Sequence, residues 1–190
     1  MTSIEQPEFE KRFKEIKTGI EGLRRKGSSI TREQLFRDSE REDILSEKLL
    51  GGHTPEEEDE YRMLKVKIEN SGLIVKTLPE FRYALECLGI YSPEEIKDIL
   101  SHENAHANKM ESLGILCLGY EIIVFKKENG KGGLMFITIA DAPPADWDKN
   151  KKLEVHKKIA NAPEEYESNH PLSSFDRATI HRLTNNEENS

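Results

Sequence analysis

The stretch SPEEIKDILSHENAHANKMESLGILCLGYEIIVFK, residues 92–126, decides the fold because its pattern changes part-way along. Its first half opens with Ser-Pro-Glu-Glu, a strong helix start, and repeats apolar residues at helical spacing as far as Gly114. Residues 115–126 are instead rich in Ile, Val, Tyr and Phe, and a glycine-rich turn at 129–133 separates them from the apolar run 134–139. The pattern predicts a long helix followed by a β-hairpin.

The chain is expected to have an α+β fold, mainly helical, with the helix of residues 92–112 packed against the hairpin. We predict three parts: a helical N-terminal region at 1–72, a domain at 73–184 and a disordered tail at 185–190. The N-terminal region is highly charged, and its predicted role is a solvated layer or an arm that recruits a protein partner.

The motif that carries chemistry is His102-Glu103-Asn104-Ala105-His106, which fits H-E-x-x-H and lies inside the predicted helix. Residues four apart on an α-helix are separated by about 40° around its axis and by one turn along it. The two imidazoles can therefore offer nitrogen atoms to one metal ion. The spacing predicts a metal site held by His102 and His106.

Glu103 falls in the middle of the apolar face of the same helix. That face is formed by Ile96, Ile99, Leu100, Ala107 and Met110. A carboxylate is costly to bury among apolar groups, so its position there needs a reason. Burial would also raise its pKa, which suits a general base that works near neutral pH.

The motif and its flanks resemble those of the zincin metallopeptidases. The uncharged residues Leu100, Asn104, Ala105 and Ala107 are typical of that clan, whereas Asn108 stands where an apolar residue is usual. The order of helix, glycine and strand is also similar to that of intramembrane metalloproteases. The resemblance implies zinc as the metal and a peptide or protein as the substrate.

A catalytic zinc ion usually has three protein ligands, so a third is expected. The metzincin extension of the motif would need a histidine at Ser112 and is therefore absent. Our candidate is His156, in the helix predicted after the hairpin. Glu154 and Asp146 are the alternatives.

The favoured interpretation is a zinc-dependent hydrolase, a metallopeptidase in which Glu103 activates a water molecule on the metal. Tyr120, on the first predicted strand of the hairpin, is a candidate hydrogen-bond donor to the oxyanion.

Two other functions stay open at this point. One is a non-enzymatic helical interaction or adaptor protein, with an incidental H-E-x-x-H and a lysine paired with Glu103. The other is a non-zinc metal-binding protein, because Glu103 and His106 also fit the E-x-x-H signature of ferritin-like di-iron bundles. The predicted hairpin does not belong in such a bundle.

Composition argues against several classes of partner. The chain has 190 residues and a net charge of −8, which disfavours binding to a nucleic-acid backbone. No apolar run approaches the roughly 20 residues that span a bilayer, and the N-terminus has no apolar signal segment. The two cysteines are too few for a disulfide framework. We therefore expect a cytoplasmic protein without membrane contact.

Overall fold

The computed structural model describes the chain in stretches separated by gaps. The described residues are 6–26, 34, 37–38, 41–42, 44–45, 48, 52–69, 72–126, 132–144, 146–165 and 172–188. The helices with described bounds are α1 (Gln6–Lys26), α2 (Pro55–Glu69), α3 (Leu78–Leu88), α4 (Pro93–Ser112), α5 (Lys149–Ala160), α6 (Ala162–Glu165) and α7 (Ser174–Glu188). The strands are β1 (Gly72–Val75), β2 (Cys117–Lys126) and β3 (Gly132–Ala140).

The predicted fold class is confirmed: the chain is α+β and mainly helical. The three strands form one antiparallel sheet in the order β1-β2-β3, so β2 and β3 are the predicted hairpin. Thr138 on β3 touches Glu103 on α4, which confirms that this helix packs against the hairpin. No helix in the described stretches is both long and apolar enough to cross a bilayer.

The chain divides into two compact units. The first consists of Met1–Ile74 and Glu121–Phe136, and the second of Val75–Tyr120 and Ile137–Ser190. Every residue of the candidate site described below lies in the second unit. The division predicted from the sequence, at residues 72 and 73, stays a prediction.

The C-terminal helix extends further than the sequence predicted. The disordered tail was expected from residue 185, whereas α7 continues to Glu188. Residues 189–190 lie outside the described part of the chain.

Helices of the first unit follow the signals in their sequence. In α1, Ile16 and Ile20 are each 1% exposed, and they lie four residues apart on one face. At the start of α2, the Glu57 N–H donates to Thr54 Oγ1 (3.3 Å) and the Thr54 N–H donates to Glu57 Oε2 (3.1 Å). This reciprocal capping box fixes where α2 begins.

Helix α4, which carries the H-E-x-x-H motif, begins at a capping box of the same kind. The Glu95 N–H donates to Ser92 Oγ (3.2 Å), and the Ser92 N–H donates to Glu95 Oε2 (2.7 Å). Pro93 occupies the first turn, where its missing N–H costs nothing. The first turn of α4 is therefore set by local sequence alone.

A Schellman motif ends α4 where the sequence predicted. The Ile115 N–H donates to the Met110 carbonyl (2.9 Å), and the Gly114 N–H donates to that of Glu111 (3.1 Å), with Gly114 at φ 78°. Met110 and Ile115 then pack in one core cluster with Val155 and Ile159 of α5. The end of α4 and its packing against α5 therefore depend on the same residues.

Gly119 on β2 meets two requirements that other residues cannot meet together. Its φ is 140°, which side-chain-bearing residues rarely adopt. A Cβ at this position would collide with the carbonyl oxygen of Val75 and would approach Lys76 Cα to 3.1 Å. The close approach of the two main chains here needs glycine.

Replacing Gly119 by alanine is expected to destabilise the fold. The strained backbone alone costs about 1–3 kcal/mol, and the collision with main-chain atoms adds to that cost. Thermal and urea unfolding measure the loss. Gly22→Ala is the matched control, because a Cβ there meets nothing within 4 Å and alanine favours a helix. Equal stabilities for the two variants would contradict the description of β2.

Candidate metal centre

His102 and His106 lie one turn apart on α4, as their spacing predicts. Their ring centroids are 5.0 Å apart, and the ring planes make an angle of 79°. The side chain of His102 is 14% exposed and that of His106 is 8% exposed. Both imidazoles are therefore largely withdrawn from solvent on one side of α4.

The carboxylate of Asp176 lies against both histidines. His102 Nε2 is 3.1 Å from Asp176 Oδ2, and His106 Nε2 is 3.3 Å from Asp176 Oδ1. One ligand atom from each of the three residues lies within 4.8 Å of the other two. Among the His, Cys, Asp and Glu side chains of the described stretches, these three form the cluster that could hold a metal ion.

The donor set fits zinc in its chemistry. Two imidazoles and one carboxylate leave a fourth position open, as catalytic zinc sites do. Ligand atoms about 2.05 Å from a tetrahedral zinc ion lie about 3.3 Å from one another. The two histidine–Asp176 distances are near that value, but they end on different oxygens of the carboxylate and are also within hydrogen-bond range.

Asp176 is held by the first turn of α7. Its N–H donates to Ser173 Oγ (3.1 Å), and the Ser173 N–H donates to Asp176 Oδ2 (2.8 Å). This is a capping box with aspartate in place of glutamate. Its shorter side chain stays close to the helix start, so the cap fixes the carboxylate that faces the histidines.

His106 is oriented from its other side. Its Nδ1 lies 2.7 Å from the carbonyl oxygen of Ile159, in the last turn of α5. A carbonyl can only accept, so Nδ1 carries the proton and Nε2 is the atom that faces Asp176. Metal-binding histidines are commonly oriented in this way.

The charged groups of the cluster shift the pKa values of one another. Burial alone would raise the pKa of Asp176, but hydrogen bonds with His102 and His106 hold that pKa well below its usual range. Burial alone would lower the pKa of His106, but Asp176 and Glu103 reverse the shift and raise it. The site therefore favours a negative carboxylate beside a positive charge, an arrangement that a divalent cation also satisfies.

Glu103 is buried beside the group, as its place on the apolar face predicts. It is 5% exposed, and burial raises the pKa of its carboxyl against the opposing influence of His106 and Thr138. The Thr138 hydroxyl donates to Glu103 Oε2 (2.7 Å) and also lies 3.0 Å from the Glu103 carbonyl oxygen. The Thr138 hydroxyl is therefore the hydrogen-bond partner of the buried Glu103 carboxylate and fixes its orientation.

Thr138→Val is expected to destabilise the second unit. Valine has nearly the same shape as threonine but leaves the buried carboxylate without its donor, which costs about 1–3 kcal/mol. Urea unfolding measures the change, with Thr138→Ser as the control that keeps the hydroxyl. A valine variant as stable as the wild type would show that this hydrogen bond contributes nothing.

Tyr120 lies on β2 in the same unit and is 5% exposed. Its ring stacks on that of Phe81, with centroids 5.0 Å apart and planes 4° from parallel. Burial raises the pKa of Tyr120 to about 12, and the negative charge of Glu103 adds to the shift. Its hydroxyl therefore keeps its proton and can act as a donor.

The predicted third ligand, His156, is not a member of the group. It is exposed on α5, whereas Val155 and Ile159 form the buried face of that helix. Of the alternatives, Glu154 pairs with Lys158 (2.6 Å) and is exposed. Asp146 is exposed in the turn before α5. The structure places Asp176 beside the histidines instead.

Sequence reasoning missed Asp176, although a weak signal for it was present. Ser173-x-x-Asp176 is a helix start, which by itself indicates only a cap. Nothing local shows that this cap faces residues far away along the chain.

Comparisons with known proteins add nothing to this geometry. No protein-family model, no curated protein and no solved structure matches this chain.

Proposed function

We propose that this protein is a zinc-dependent hydrolase that cleaves peptide bonds. The observation that carries the proposal is the meeting of His102, His106 and Asp176 beside the buried carboxylate of Glu103. Three ligands with an open position, next to a carboxylate that is not one of them, are the parts that metal-assisted hydrolysis requires. The resemblance of the motif to zincin metallopeptidases favours a peptide substrate.

Each side chain has a distinct part in this proposal. Bound zinc would polarise the scissile carbonyl and lower the pKa of a water molecule at the open position. Glu103 takes the proton of that water molecule and passes it to the leaving amine. Its raised pKa suits this exchange, because a base whose pKa lies nearer neutrality both accepts and releases a proton readily.

Tyr120 is proposed to donate a hydrogen bond to the oxygen on which negative charge develops. Its raised pKa keeps the hydroxyl protonated at neutral pH. Stacking on Phe81 restricts the Tyr120 ring. Less side-chain conformational entropy is therefore lost when the hydroxyl forms this hydrogen bond.

The metal content of the purified full chain, without a tag, is the first test. We expect about one zinc per chain by elemental analysis, and none in the His102→Ala/His106→Ala double variant. Two irons per chain would favour a di-iron protein instead. A wild-type chain that neither contains zinc nor takes it up would favour the adaptor function.

Hydrolysis is tested separately with fluorescein-labelled casein and a quenched peptide library. We expect cleavage by the zinc-loaded chain that stops when a chelator removes the metal and returns when zinc is added. A chain that binds one zinc but cleaves none of these peptides would contradict the peptidase proposal while leaving the metal site standing.

We also propose that the protein works in the cytoplasm. Cys87 and Cys117 are both free thiols, as expected in a reducing compartment. Fractionation of cells with a specific antibody checks this, and recovery of the protein outside the cytoplasm would contradict it.

A further inference from the structure

The main-chain carbonyl of Ile159 accepts a hydrogen bond from the His106 side chain instead of from a main-chain N–H four residues later. In a continuing helix, the carbonyl of Ile159 would accept the N–H of the residue four positions later. That residue is Pro163, which has no N–H. Because α5 ends at Ala160 and residue 163 has no N–H, the Ile159 carbonyl has no donor four residues later at the point where His106 Nδ1 approaches to 2.7 Å.

The main chain around Pro163 is consistent with a helix interrupted at this point. The Asn161 N–H, which caps α5, reaches the carbonyl of Lys157 at 3.0 Å as well as that of Ile159. The next N–H after the proline, from Glu164, turns to the carbonyl of Asn161 (3.2 Å). A carbonyl oxygen has two lone pairs, so Ile159 keeps one for His106.

Pro163 is itself buried, with less than 2% of its surface exposed, at the start of α6. The ring of a proline in a helical position also crowds the carbonyl four residues earlier and turns it away from the helix axis. In this structure the carbonyl four residues before Pro163 is the one that holds His106.

We propose that Pro163 is a positioning residue for His106. Because Pro163 has no main-chain N–H to donate to the Ile159 carbonyl, that carbonyl can accept the Nδ1–H of His106, and Nε2 then faces Asp176. The role of this arrangement in metal binding rests on the proposed function, whereas the hydrogen bond itself does not.

The variants Pro163→Ala and Pro163→Val test the proposal, because both give residue 163 a main-chain N–H. They differ in how much of the buried volume of the proline ring they fill. Pro79→Ala is the matched control: Pro79 lies in the first turn of α3, in the same unit, and is exposed. Urea unfolding of each full-length variant establishes that it is folded under the conditions used.

The first readout is nuclear magnetic resonance of the metal-free chain labelled with ¹⁵N-histidine. The wild type should show a His106 ring N–H at Nδ1 that is protected from solvent exchange, assigned by its loss in His106→Ala. We expect both Pro163 variants to lose this protection because the new N–H competes for the carbonyl. The Pro79→Ala variant should keep it.

The second readout is zinc affinity by competition with a chelator. Loss of the partner that orients a metal-binding histidine typically costs about 10- to 100-fold, so we expect a loss of that size in both Pro163 variants and none in the control. Unchanged Nδ1–H protection with unchanged affinity, together with lower stability, would overturn the proposal and make Pro163 a core-filling residue only.

The two proposals can fail separately. If the wild type binds no zinc, the proposed function fails, but the Nδ1–H readout of the metal-free chain still decides the role of Pro163. If the wild type lacks a protected Nδ1–H, the role of Pro163 is overturned whatever the metal content.

Discussion

Replacing Glu103 by glutamine is expected to abolish peptide hydrolysis and to leave zinc bound. Glutamine keeps the shape of the side chain and an oxygen that can accept from Thr138, but it cannot take a proton from water. Loss of a general base typically lowers kcat by about 10²- to 10⁴-fold. The measurements are cleavage of fluorescein-labelled casein and zinc content of the same preparation.

Glu94→Gln is the matched control for this variant, because Glu94 is exposed on the first turn of the same helix. It should retain both cleavage and zinc. If Glu103→Gln lost its zinc, Glu103 would be a ligand and the assignment of the base would be wrong. If it kept full activity, another group would have to move the proton.

The exchange of Asp176 for asparagine is expected to weaken zinc binding by more than about 100-fold. Losing an outer partner of a ligand already costs about 10- to 100-fold, and a carboxylate ligand contributes its charge as well. Asparagine preserves the size of the side chain and can still accept from the Ser173 N–H. The start of α7 should therefore survive, and circular dichroism checks that it does.

His156→Ala is the comparison that separates the two candidates for the third ligand. His156 is exposed on α5, so its removal is expected to leave zinc affinity within about twofold of the wild type. Competition with a chelator measures both variants on one scale. Strong binding by Asp176→Asn together with weak binding by His156→Ala would return His156 to the site.

Local patterns in the sequence predicted the framework of the site well. The capping box at Ser92, the Schellman end at Gly114 and the hairpin each depend on residues close together along the chain. Such signals act before distant parts of the chain meet, and so the helix with its two histidines and the buried position of Glu103 could be read directly.

The sequence predicted His156 as the third ligand, whereas the structure places Asp176 beside the two histidines, and the difference has a physical reason. Histidine and carboxylate both serve as the third zinc ligand beside two histidines, and the helix that carries His156 is indeed next to α4 through Met110 and Val155. Because Val155 and Ile159 turn inward, however, His156 points to solvent. The periodicity of a short, highly charged helix is a weak guide to which face is buried.

By itself, the sequence determined that α4 forms, where it starts and stops, and that His102 and His106 share one side of it with Glu103 nearby. Only the tertiary structure decided which groups complete the site: Asp176, the Ile159 carbonyl and the Thr138 hydroxyl. Asp176 is 74 residues from His102 along the chain, so the pairing depends on how α7 and α5 pack in the second unit. Contacts of that kind follow from burial of apolar faces over the whole unit, and no short motif encodes them.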